Sequence, residues 1–343
     1  MKRAAILGAS GYTGAEMIRL ALGHPKLEIV ALTGERYAGR SANDVHPALR
    51  GPDLPNVTSL NDVDWSGVDV AFACLPHGVS QDTVSIIADQ VETVIDLSAD
   101  YRLKDPNTYE RYYARPHSDV KRLETAVYGL TEWARDELPG ASLVACPGCF
   151  PTCALLALAP LAETGMIAMD DIRITALTGV SGAGRKALEA LSFSELNDSA
   201  HPYGLTGHRH APEIDAFLAN VSKSDPCVSF VPQLVPMTRG MVATIYVRLN
   251  NDVNTARHEL QTRYADAPFV QVLDDGDTLR SRDVRGSNLC RIAIYPDRQA
   301  GRAIIVSAID NLTKGSSGQA IQNYNLTQGW DETLGLKVAP LFP

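Results

Sequence analysis

The first 150 residues alternate between short apolar runs and amphipathic stretches. The apolar runs predict buried β-strands in "RAAILGA", "LEIVALT", "VDVAFACLP" and "TVIDLS". Apolar positions recur at helical spacing in "GAEMIRLALGHP", which ends near Gly23 and Pro25, and a further helix is predicted in "SQDTVSIIADQ". Strands that alternate with helices predict an α/β domain over residues 1–148, with a doubly wound parallel sheet of the Rossmann type.

The pattern changes after residue 148. A long apolar helix is predicted in "PTCALLALAPLAETGM". Strands with few helices between them are predicted in "DIRITALTGVSG", "VSFVPQLVP", "GMVATIYVRLN", "NLCRIAIYPD" and "RAIIVSAIDN". The pattern therefore predicts that residues 149–311 form a second domain of the α+β class, with a largely antiparallel sheet and a helical cover. The last segment, "GSSGQAIQNYNLTQGW", is again typical of a helix.

Composition excludes several classes of function. A net charge of -9 argues against a broad nucleic-acid binder. No stretch approaches the roughly 18 apolar residues of a membrane span, and the N-terminal "MKRAAILGAS" is typical of a first strand rather than a signal peptide. Six cysteines in 343 residues do not make a disulfide scaffold, so we expect a cytoplasmic, reduced protein.

A glycine-rich loop follows the first predicted strand. In "ILGASGYTG" the glycines Gly8, Gly11 and Gly14 have the spacing G-x-x-G-x-x-G, a variant of the dinucleotide fingerprint. Glycine allows the backbone to approach a pyrophosphate, and the helix N-terminus supplies free N–H groups to it. Ser10 and Thr13 can add hydroxyl donors. The loop predicts a dinucleotide cofactor.

The end of the second strand bears on which dinucleotide binds. In "ALTGERYAGR" an acidic residue, Glu35, would favour the ribose hydroxyls of NAD, whereas Arg36 would favour the 2′-phosphate of NADP. Arg40 lies close by and favours NADP.

Three cysteines lie within "CPGCFPTC". Cys146 and Cys149 form a C-x-x-C, which can be a redox pair, and Cys153 adds a spacing that could hold a metal ion or an iron–sulfur cluster. A cluster needs a fourth ligand, and none lies close in the sequence. The third alternative is a single nucleophile.

Cys149 has the best local setting for a nucleophile. It starts a predicted helix, where free N–H groups and the helix dipole lower a thiol pKa from about 8.5. Pro151 fits the first turn of that helix, and Gly148 lets a substrate approach the backbone. Cys153 follows one turn later among apolar residues, and we expect it to lie in the core.

A nucleophilic cysteine needs a base, and the richest histidine segment is "GHRHAPEI". Here His208 and His210 flank Arg209, with Glu213 nearby, as in a site for an anion or an acyl group. In a short extended segment the two rings would point to opposite sides. A zinc site is a weaker alternative, because no third ligand is evident.

Taken together, these motifs resemble the N-acetyl-gamma-glutamyl-phosphate reductase family of arginine biosynthesis. The resemblance runs the full length of the chain. It is carried by "GASGYTGAE", "ERYAG", "CLPHG", "DLSADYRL", "VYGLTE", "PGCFPT", "GVSGAGR", "GHRHAPEI" and "DNLTKGSSGQAIQN".

The resemblance implies NADPH-dependent reduction of N-acetylglutamyl phosphate to the semialdehyde and phosphate, through a thioester on Cys149. It implies the two-domain plan of aspartate-semialdehyde and glyceraldehyde-phosphate dehydrogenases. The C-terminal residues, about 312–343, then return to the NADP-binding domain. A homodimer or homotetramer is expected, without a metal ion.

The same resemblance implies further site residues. Those expected to bind the substrate are Arg102, Tyr203, Arg209 and Glu213. Those expected to bind the cofactor, besides Arg36 and the loop residues Gly8, Ser10, Gly11, Thr13 and Gly14, are Tyr12, Ser181, Gly182 and Asn323. Either His208 or His210 serves as the acid or base.

Two positions depart from the family pattern. Cys146 stands where Asn is usual, and Phe150 replaces a usual Tyr. Two alternative functions stay open at this point. One is a reductase acting on a carrier-bound aminoadipyl phosphate in lysine biosynthesis, and the other is a nucleotide-binding thiol sensor without turnover.

Overall fold

The computed structural model describes residues 1–341 and divides between Gly148 and Cys149. Unit 1 comprises Met1–Gly148 and Ser316–Lys337, and unit 2 comprises Cys149–Gly315 and, of the residues that follow Lys337, 338–341. The sequence assigned all of 312–343 to the first domain; the structure instead assigns the start and the end of this segment to unit 2. In unit 2 the N–H of Leu341 donates to the carbonyl oxygen of Arg285 at 2.8 Å. Residues 342–343 lie outside the described residues.

Unit 1 contains a seven-stranded sheet in the order β3-β2-β1-β4-β5-β7-β6, and each of its strand pairs is parallel. The strands are β1 (Lys2–Leu7), β2 (Leu27–Thr33), β3 (Val57–Thr58), β4 (Val70–Ala73), β5 (Thr93–Asp96), β6 (Val127–Tyr128) and β7 (Leu143–Ala145). The α-helices between them are α1 (Tyr12–Leu22), α2 (Ala42–Val45), α3 (Val79–Ile87), α4 (Pro106–Tyr113), α5 (Val120–Thr125) and α6 (Thr131–Ala134). The predicted Rossmann-type sheet is confirmed.

The central strands of unit 1 are buried on both faces. Every residue of β4 and of β5 is buried, and the last four residues of β1 are buried as well. Parallel strands covered on both sides read as continuous apolar runs, which is why these strands are visible in the sequence.

Unit 2 contains a second seven-stranded sheet, ordered β12-β13-β14-β11-β8-β10-β9. Its strands are β8 (Arg173–Thr178), β9 (His201–Pro202), β10 (Ser229–Leu234), β11 (Met241–Arg248), β12 (Val270–Val272), β13 (Cys290–Pro296) and β14 (Arg302–Ile309). The pairs β8–β10 and β12–β13 are parallel and the others antiparallel, so the sheet is largely antiparallel, as predicted.

Among the described residues unit 2 has four α-helices, of which the first and the last pack against this sheet. They are α7 (Cys149–Glu163), α8 (Phe193–Leu196), α9 (Ala211–Ser222) and α10 (Val253–Arg263). From Phe150 to Ala162 every residue of α7 is buried, and α7 packs against β11, β14, α9 and α10. A helix that is apolar all round belongs in a core, and α7 forms the centre of unit 2.

After β14 the chain forms a π-helical turn, Thr313–Ser317, and then α11 (Gly318–Thr327), which belongs to unit 1. Within residues 1–341 no helix combines the length and the hydropathy needed to cross a membrane.

Candidate active site

Two glycines shape the loop after β1. Gly8 has a φ of +72°, which favours glycine, and a Cβ there would collide with the carbonyl oxygen of Cys74. A Cβ on Gly14 would lie 2.5 Å from the carbonyl oxygen of Gly8 and 2.7 Å from Cα of Ala9. The glycines therefore bring β1, α1 and the end of β4 close together, as a backbone cradle for a pyrophosphate requires.

The N-terminus of α1 completes this cradle. Gly11 is its N-cap, and among residues 1–341 no side chain caps the helix and no acidic residue occupies its first turn. The first N–H groups and the positive end of the helix dipole suit an anion at this position. Tyr12, the first helical residue, is exposed. The residues present therefore fit the phosphates of a dinucleotide.

Ser10 and Thr13 connect the loop to its surroundings. The Ser10 hydroxyl oxygen is 3.3 Å from a Cβ built on Gly34, so it lies beside the end of β2. The carbonyl oxygen of Thr13 accepts a hydrogen bond from the Ser317 hydroxyl at 3.0 Å. The loop is thus held against β2 and against the start of the C-terminal segment of unit 1.

The end of β2 presents two guanidinium groups. The Glu35 carboxylate accepts the backbone N–H of Leu60 at 3.0 Å. The exposed Arg36 and Arg40 lie over the ring of Tyr37, with their guanidinium carbons 5.6 and 5.7 Å from its centroid. The acidic side chain is engaged within the protein, while two cations lie close to one aromatic ring, an arrangement that favours a phosphate over a ribose diol.

Cys149 is the first residue of α7 and is half-buried. A thiol at a helix N-terminus faces free N–H groups and the positive end of the dipole, which favour its thiolate form. The buried helix behind it fixes the Cys149 backbone within unit 2. This position suits a nucleophile.

Both histidines of "GHRHAPEI" pack against Phe150. Their ring centroids each lie 5.7 Å from that of Phe150 and 4.9 Å from one another. Phe230 completes the aromatic cluster, 5.2 Å from Phe150 and 5.3 Å from His208. The prediction that the two rings point to opposite sides is wrong, because the segment is a turn that leads into α9. His210, with φ -83° and ψ -15°, is the N-cap of that helix.

The hydrogen bonding of His208 defines its proton. Its Nδ1 accepts the backbone N–H of His210 at 3.1 Å. Burial in the aromatic cluster, and then the charge of Arg209, lower the pKa of His208 to about 4. At neutral pH the ring is therefore neutral, and since Nδ1 accepts, Nε2 carries the proton.

Tyr203 joins this cluster to the thiol. Its ring lies 5.5 Å from that of His208. Burial raises the pKa of Tyr203, the charge of a Cys149 thiolate raises it further, and Arg209 opposes both. Arg209 is exposed, whereas Glu213 is buried in the first turn of α9. Unit 2 thus groups its predicted catalytic and substrate residues around one helix end.

Arg102 lies in unit 1, where it is fixed by backbone carbonyls. Its Nε donates to Cys146 at 2.7 Å and its Nη2 donates to Leu97 at 3.0 Å. These carbonyls follow the ends of β7 and β5. Arg102 is therefore held at the carboxyl edge of the parallel sheet, where such sheets bind ligands.

Asn323 is fully buried and its amide is engaged within unit 1. Nδ2 donates to the carbonyl oxygen of Gly129 at 2.8 Å and to the Cys146 sulfur at 3.6 Å, and Oδ1 accepts from the Thr131 hydroxyl at 2.6 Å. Contact of its amide N–H groups with a nicotinamide would require these bonds to break. In this structure Asn323 ties α11 to the end of the parallel sheet.

The thiols on either side of Cys149 are buried. Burial raises the pKa of Cys146 and that of Cys153 to about 12 in each case. The Cys153 sulfur donates to the carbonyl oxygen of Ser307 at 3.3 Å, so the prediction that Cys153 lies in the core is confirmed. Among residues 1–341 no group of three or more His, Cys, Asp or Glu is placed to bind a metal ion.

Ser181 and Gly182 lie in a short turn after β8, Val180–Ala183. The Ser181 hydroxyl accepts a hydrogen bond from the Asn311 amide at 3.0 Å. The backbone N–H of Ser181 donates to the carbonyl oxygen of Thr238 at 3.1 Å. Gly182 is exposed. Their assignment to the cofactor stays a prediction.

Sequence reasoning missed a buried ion pair beside this turn. Arg239 donates from Nε to the fully buried carboxylate of Asp310 at 2.7 Å, and from Nη2 at 3.0 Å. Asp310 follows an apolar strand directly, and a charged residue at that position was the available signal.

Two family models match the chain. The semialdehyde dehydrogenase NAD binding domain matches residues 3–141, and the semialdehyde dehydrogenase dimerisation domain matches residues 149–311. A probable chloroplastic N-acetyl-gamma-glutamyl-phosphate reductase of Arabidopsis thaliana is 48% identical over 343 residues, covering 99% of this chain and 85% of that protein. An N-acetyl-gamma-glutamyl-phosphate reductase of Ruegeria pomeroyi is 47% identical over 340 residues, covering 99% and 98%.

Solved structures agree at the level of the fold. Aspartate semialdehyde dehydrogenase II from Vibrio cholerae, complexed with ASA, has a TM-score of 0.72 at 17% identity, covering 95% of this chain and 98% of that one. Aspartate semialdehyde dehydrogenase with NADP from Candida albicans has a TM-score of 0.69 at 21% identity, with the same coverage.

Proposed function

The chain belongs to the N-acetyl-gamma-glutamyl-phosphate reductase family, and from that premise we propose that it reduces N-acetylglutamyl phosphate to the semialdehyde through a thioester on Cys149. The observation that carries the proposal is local to unit 2. A half-buried thiol begins α7, and Tyr203 and two histidines gather around the same helix end.

The first step is attack of the Cys149 thiolate on the acyl carbon. The sulfur–carbon bond forms, the carbon–oxygen bond to phosphate breaks, and inorganic phosphate leaves with the bonding electrons. Backbone N–H groups at the start of α7 are suited to hold the oxyanion that develops on the carbonyl oxygen. The buried Phe150 and Phe230 limit water near the thioester, which slows its hydrolysis.

We assign different roles to the two histidines. A neutral His208 with its proton on Nε2 can donate to an oxyanion, but it has no free nitrogen with which to take a proton. Its lowered pKa also disfavours the imidazolium. His210 is therefore the proposed base that removes the thiol proton.

NADPH bound at the Gly8–Gly14 loop would supply the hydride that reduces the thioester to the aldehyde. Gly8, Gly11 and Gly14 would cradle its pyrophosphate, with Ser10, Tyr12 and Thr13 around it. Arg36 would hold the 2′-phosphate.

The substrate carries a carboxylate and a phosphate, so the site needs fixed cations. Arg209 is the exposed candidate within unit 2. Arg102, which two carbonyls orient within unit 1, stays a predicted substrate residue. Tyr203 and Glu213 are proposed to hold the acyl chain and its amide.

The proposal is tested by following nicotinamide absorbance with N-acetylglutamyl phosphate and NADPH. We expect turnover by the wild type and none by Cys149→Ser, with NADPH binding unchanged, because a serine hydroxyl is far less ionised. Cys153→Ala is the matched control and should stay active. No oxidation of NADPH by the wild type would contradict the proposal and favour the thiol sensor or the carrier-bound substrate.

The roles of the histidines are tested by thiol alkylation. His210→Asn should lower kcat by about a hundredfold or more and shift the pH profile of iodoacetamide modification of Cys149 to higher pH. His208→Asn should lower kcat and leave that profile unchanged. Peptide mass mapping is needed because Cys227 is exposed and also reacts. The reverse result would exchange the two roles.

We also propose that the uncovered face of the unit 2 sheet forms a homodimer. Alternate residues of β11 are buried under the helices, and on the other face Leu177 and Tyr246 are 37% and 39% exposed. Tyr246→Glu should reduce the mass in light scattering from twice the monomer to the monomer. Val120→Glu, at a similarly exposed site in unit 1, should leave it unchanged. A monomeric wild type would contradict this interface, and a fourfold mass would favour a tetramer.

We keep the cytoplasm as the proposed compartment. None of the six cysteines, all within residues 1–341, forms a disulfide bond, and a catalytic thiol is kept reduced in the cytoplasm. Fractionation of cells that express the tagged chain would test this.

A further inference from the structure

The segment after β14 forms an unusual turn. Gly315 donates its N–H to the carbonyl oxygen of Asp310 at 3.0 Å, which is the i to i−5 pattern of a π-helix. Single π-helical turns are rare and occur frequently at functional sites. The question is what this turn does in unit 2.

The turn is held by a buried carboxylate. Asp310 is fully buried and accepts the backbone N–H groups of Leu312 at 2.9 Å, Thr313 at 3.3 Å and Gly286 at 2.6 Å. Arg239 binds both of its oxygens and also donates to the Thr313 hydroxyl at 2.9 Å. Because the charge is paired and bonded on every side, the turn has little freedom to move.

The turn lies in close contact with Cys149, the proposed nucleophile. A Cβ built on Gly315 would lie 2.7 Å from Cβ of Cys149, 3.3 Å from its Cα, and 3.1 Å from Cδ1 of Ile309. Ordinary carbon–carbon contacts are about 3.5–4.0 Å, so an added methyl group would have to displace Cys149 by about 1 Å. Cys149 cannot retreat easily, since the helix behind it is close-packed.

Position 315 requires glycine because there is no space for a Cβ. Among the described residues, Gly315 is not one of those with a positive φ, so an alanine could adopt its backbone conformation. Only the missing Cβ distinguishes the position.

We propose that Gly315, fixed by the Arg239–Asp310 pair, is a positioning residue that sets where the Cys149 thiol stands at the start of α7. The inference rests on the proposed role of Cys149 as nucleophile. Gly315 itself touches no reacting atom. It acts by limiting the room on one side of the Cys149 side chain.

Gly315→Ala tests the proposal in the full-length enzyme. We expect kcat to fall by about a hundredfold, the loss associated with a misplacement of about 1 Å, while KM for N-acetylglutamyl phosphate and Kd for NADPH change less than about threefold. Gly23→Ala is the matched control. Gly23 also lacks a positive φ, and the nearest atom to its added Cβ would be 3.6 Å away.

Thiol reactivity separates this idea from the proposed function. In Gly315→Ala the rate and the pH midpoint of iodoacetamide modification at Cys149 should change, because the sulfur leaves its place beside the helix N–H groups. This measurement needs no substrate. If the wild type had no reductase activity but the modification profile still shifted, the positioning role would stand and the proposed substrate would fall.

A double-mutant cycle of thermal stability tests the proposal even if Gly315→Ala folds poorly. In a Cys149→Gly background the Cβ–Cβ overlap is gone, so Gly315→Ala should lower Tm at most about half as much as it does in the wild type. Equal Tm losses in the two backgrounds, or wild-type kcat and modification profile in Gly315→Ala, would overturn the proposal.

Discussion

Arg36→Ala should remove most of the preference for NADPH over NADH. Glu35 accepts the N–H of Leu60 at 3.0 Å and so does not compete for the ribose, while the guanidinium groups of Arg36 and Arg40 each lie near the ring of Tyr37. One hydrogen bond to a charged group contributes about 1.5–3 kcal/mol, which corresponds to about ten- to a hundredfold in Kd. Because Arg36 is exposed, we expect the lower end, about tenfold, with the remainder contributed by Arg40.

The assay is fluorescence titration of each cofactor at two salt concentrations. Arg36→Ala should raise Kd for NADPH by about tenfold, leave Kd for NADH within about twofold, and reduce the salt dependence of NADPH binding. The chain supplies a matched control, since Arg111 is another exposed arginine over the next tyrosine, 5.7 Å from the ring of Tyr112. Arg111→Ala should change neither constant. Equal affinities of the wild type for the two cofactors, or a parallel loss of both in Arg36→Ala, would refute the reasoning.

Three further predictions concern the stability of the fold and the chemistry of the thiols. In the folded protein the pKa of His208 is about 4, below its usual 6.5, so the unfolded chain binds the proton more tightly. The free energy of unfolding should therefore fall by at most about 3 kcal/mol as the pH drops from 6.5 to 4. Urea titrations should show a smaller loss in His208→Asn, whose amide can still accept the His210 N–H, and no such change in His258→Gln, at an exposed position. Cys146 is buried with a raised pKa, so Cys146→Asn should show the same loss and recovery of activity after peroxide and dithiothreitol as the wild type; permanent loss in the variant alone would instead assign a protective disulfide to Cys146. Asp310→Asn should lower Tm by several degrees, because it removes the buried charge that pairs with the half-buried Arg239; an unchanged Tm would show that the pair does not hold the turn.

The strands that were visible in the sequence are those buried on both faces or alternating in burial. The run "LEIVALT" corresponds to β2 residue for residue, since five of its seven residues are apolar, although Glu28 is exposed. The three strands that complete the sheet, Val57–Thr58, Val127–Tyr128 and Leu143–Ala145, escaped prediction since two or three residues carry no periodicity.

The histidine segment shows where local pattern fails. Period-two alternation holds only while the chain is extended, and "GHRHAPEI" is bounded by Gly207, with φ +157°, and by a helix that starts at Ala211. The Pro at position 212 suited an N-terminal helical turn and was the signal that an extended segment could not continue. The resulting turn sets both rings against Phe150 and lets the His210 N–H bond to Nδ1 of His208, which is the reason for proposing His210 as the base.

The glycines of this chain separate what a motif can reveal from what it cannot. Gly8 and Gly14 stand in a spaced pattern. The atoms that crowd Gly14 are local and belong to Gly8 and Ala9, whereas those that crowd Gly8 belong to Cys74 and Leu75, which follow β4. Gly315 stands in an equally glycine-rich run, yet the atom that excludes its Cβ belongs to Cys149, 166 positions earlier in the chain. From the sequence alone, the two residues are connected only because the segments that contain them both resemble segments of one family. The structure connects them through Asp310, Arg239 and the π-helical turn, and so turns a resemblance between segments into a physical requirement that a single methyl group can test.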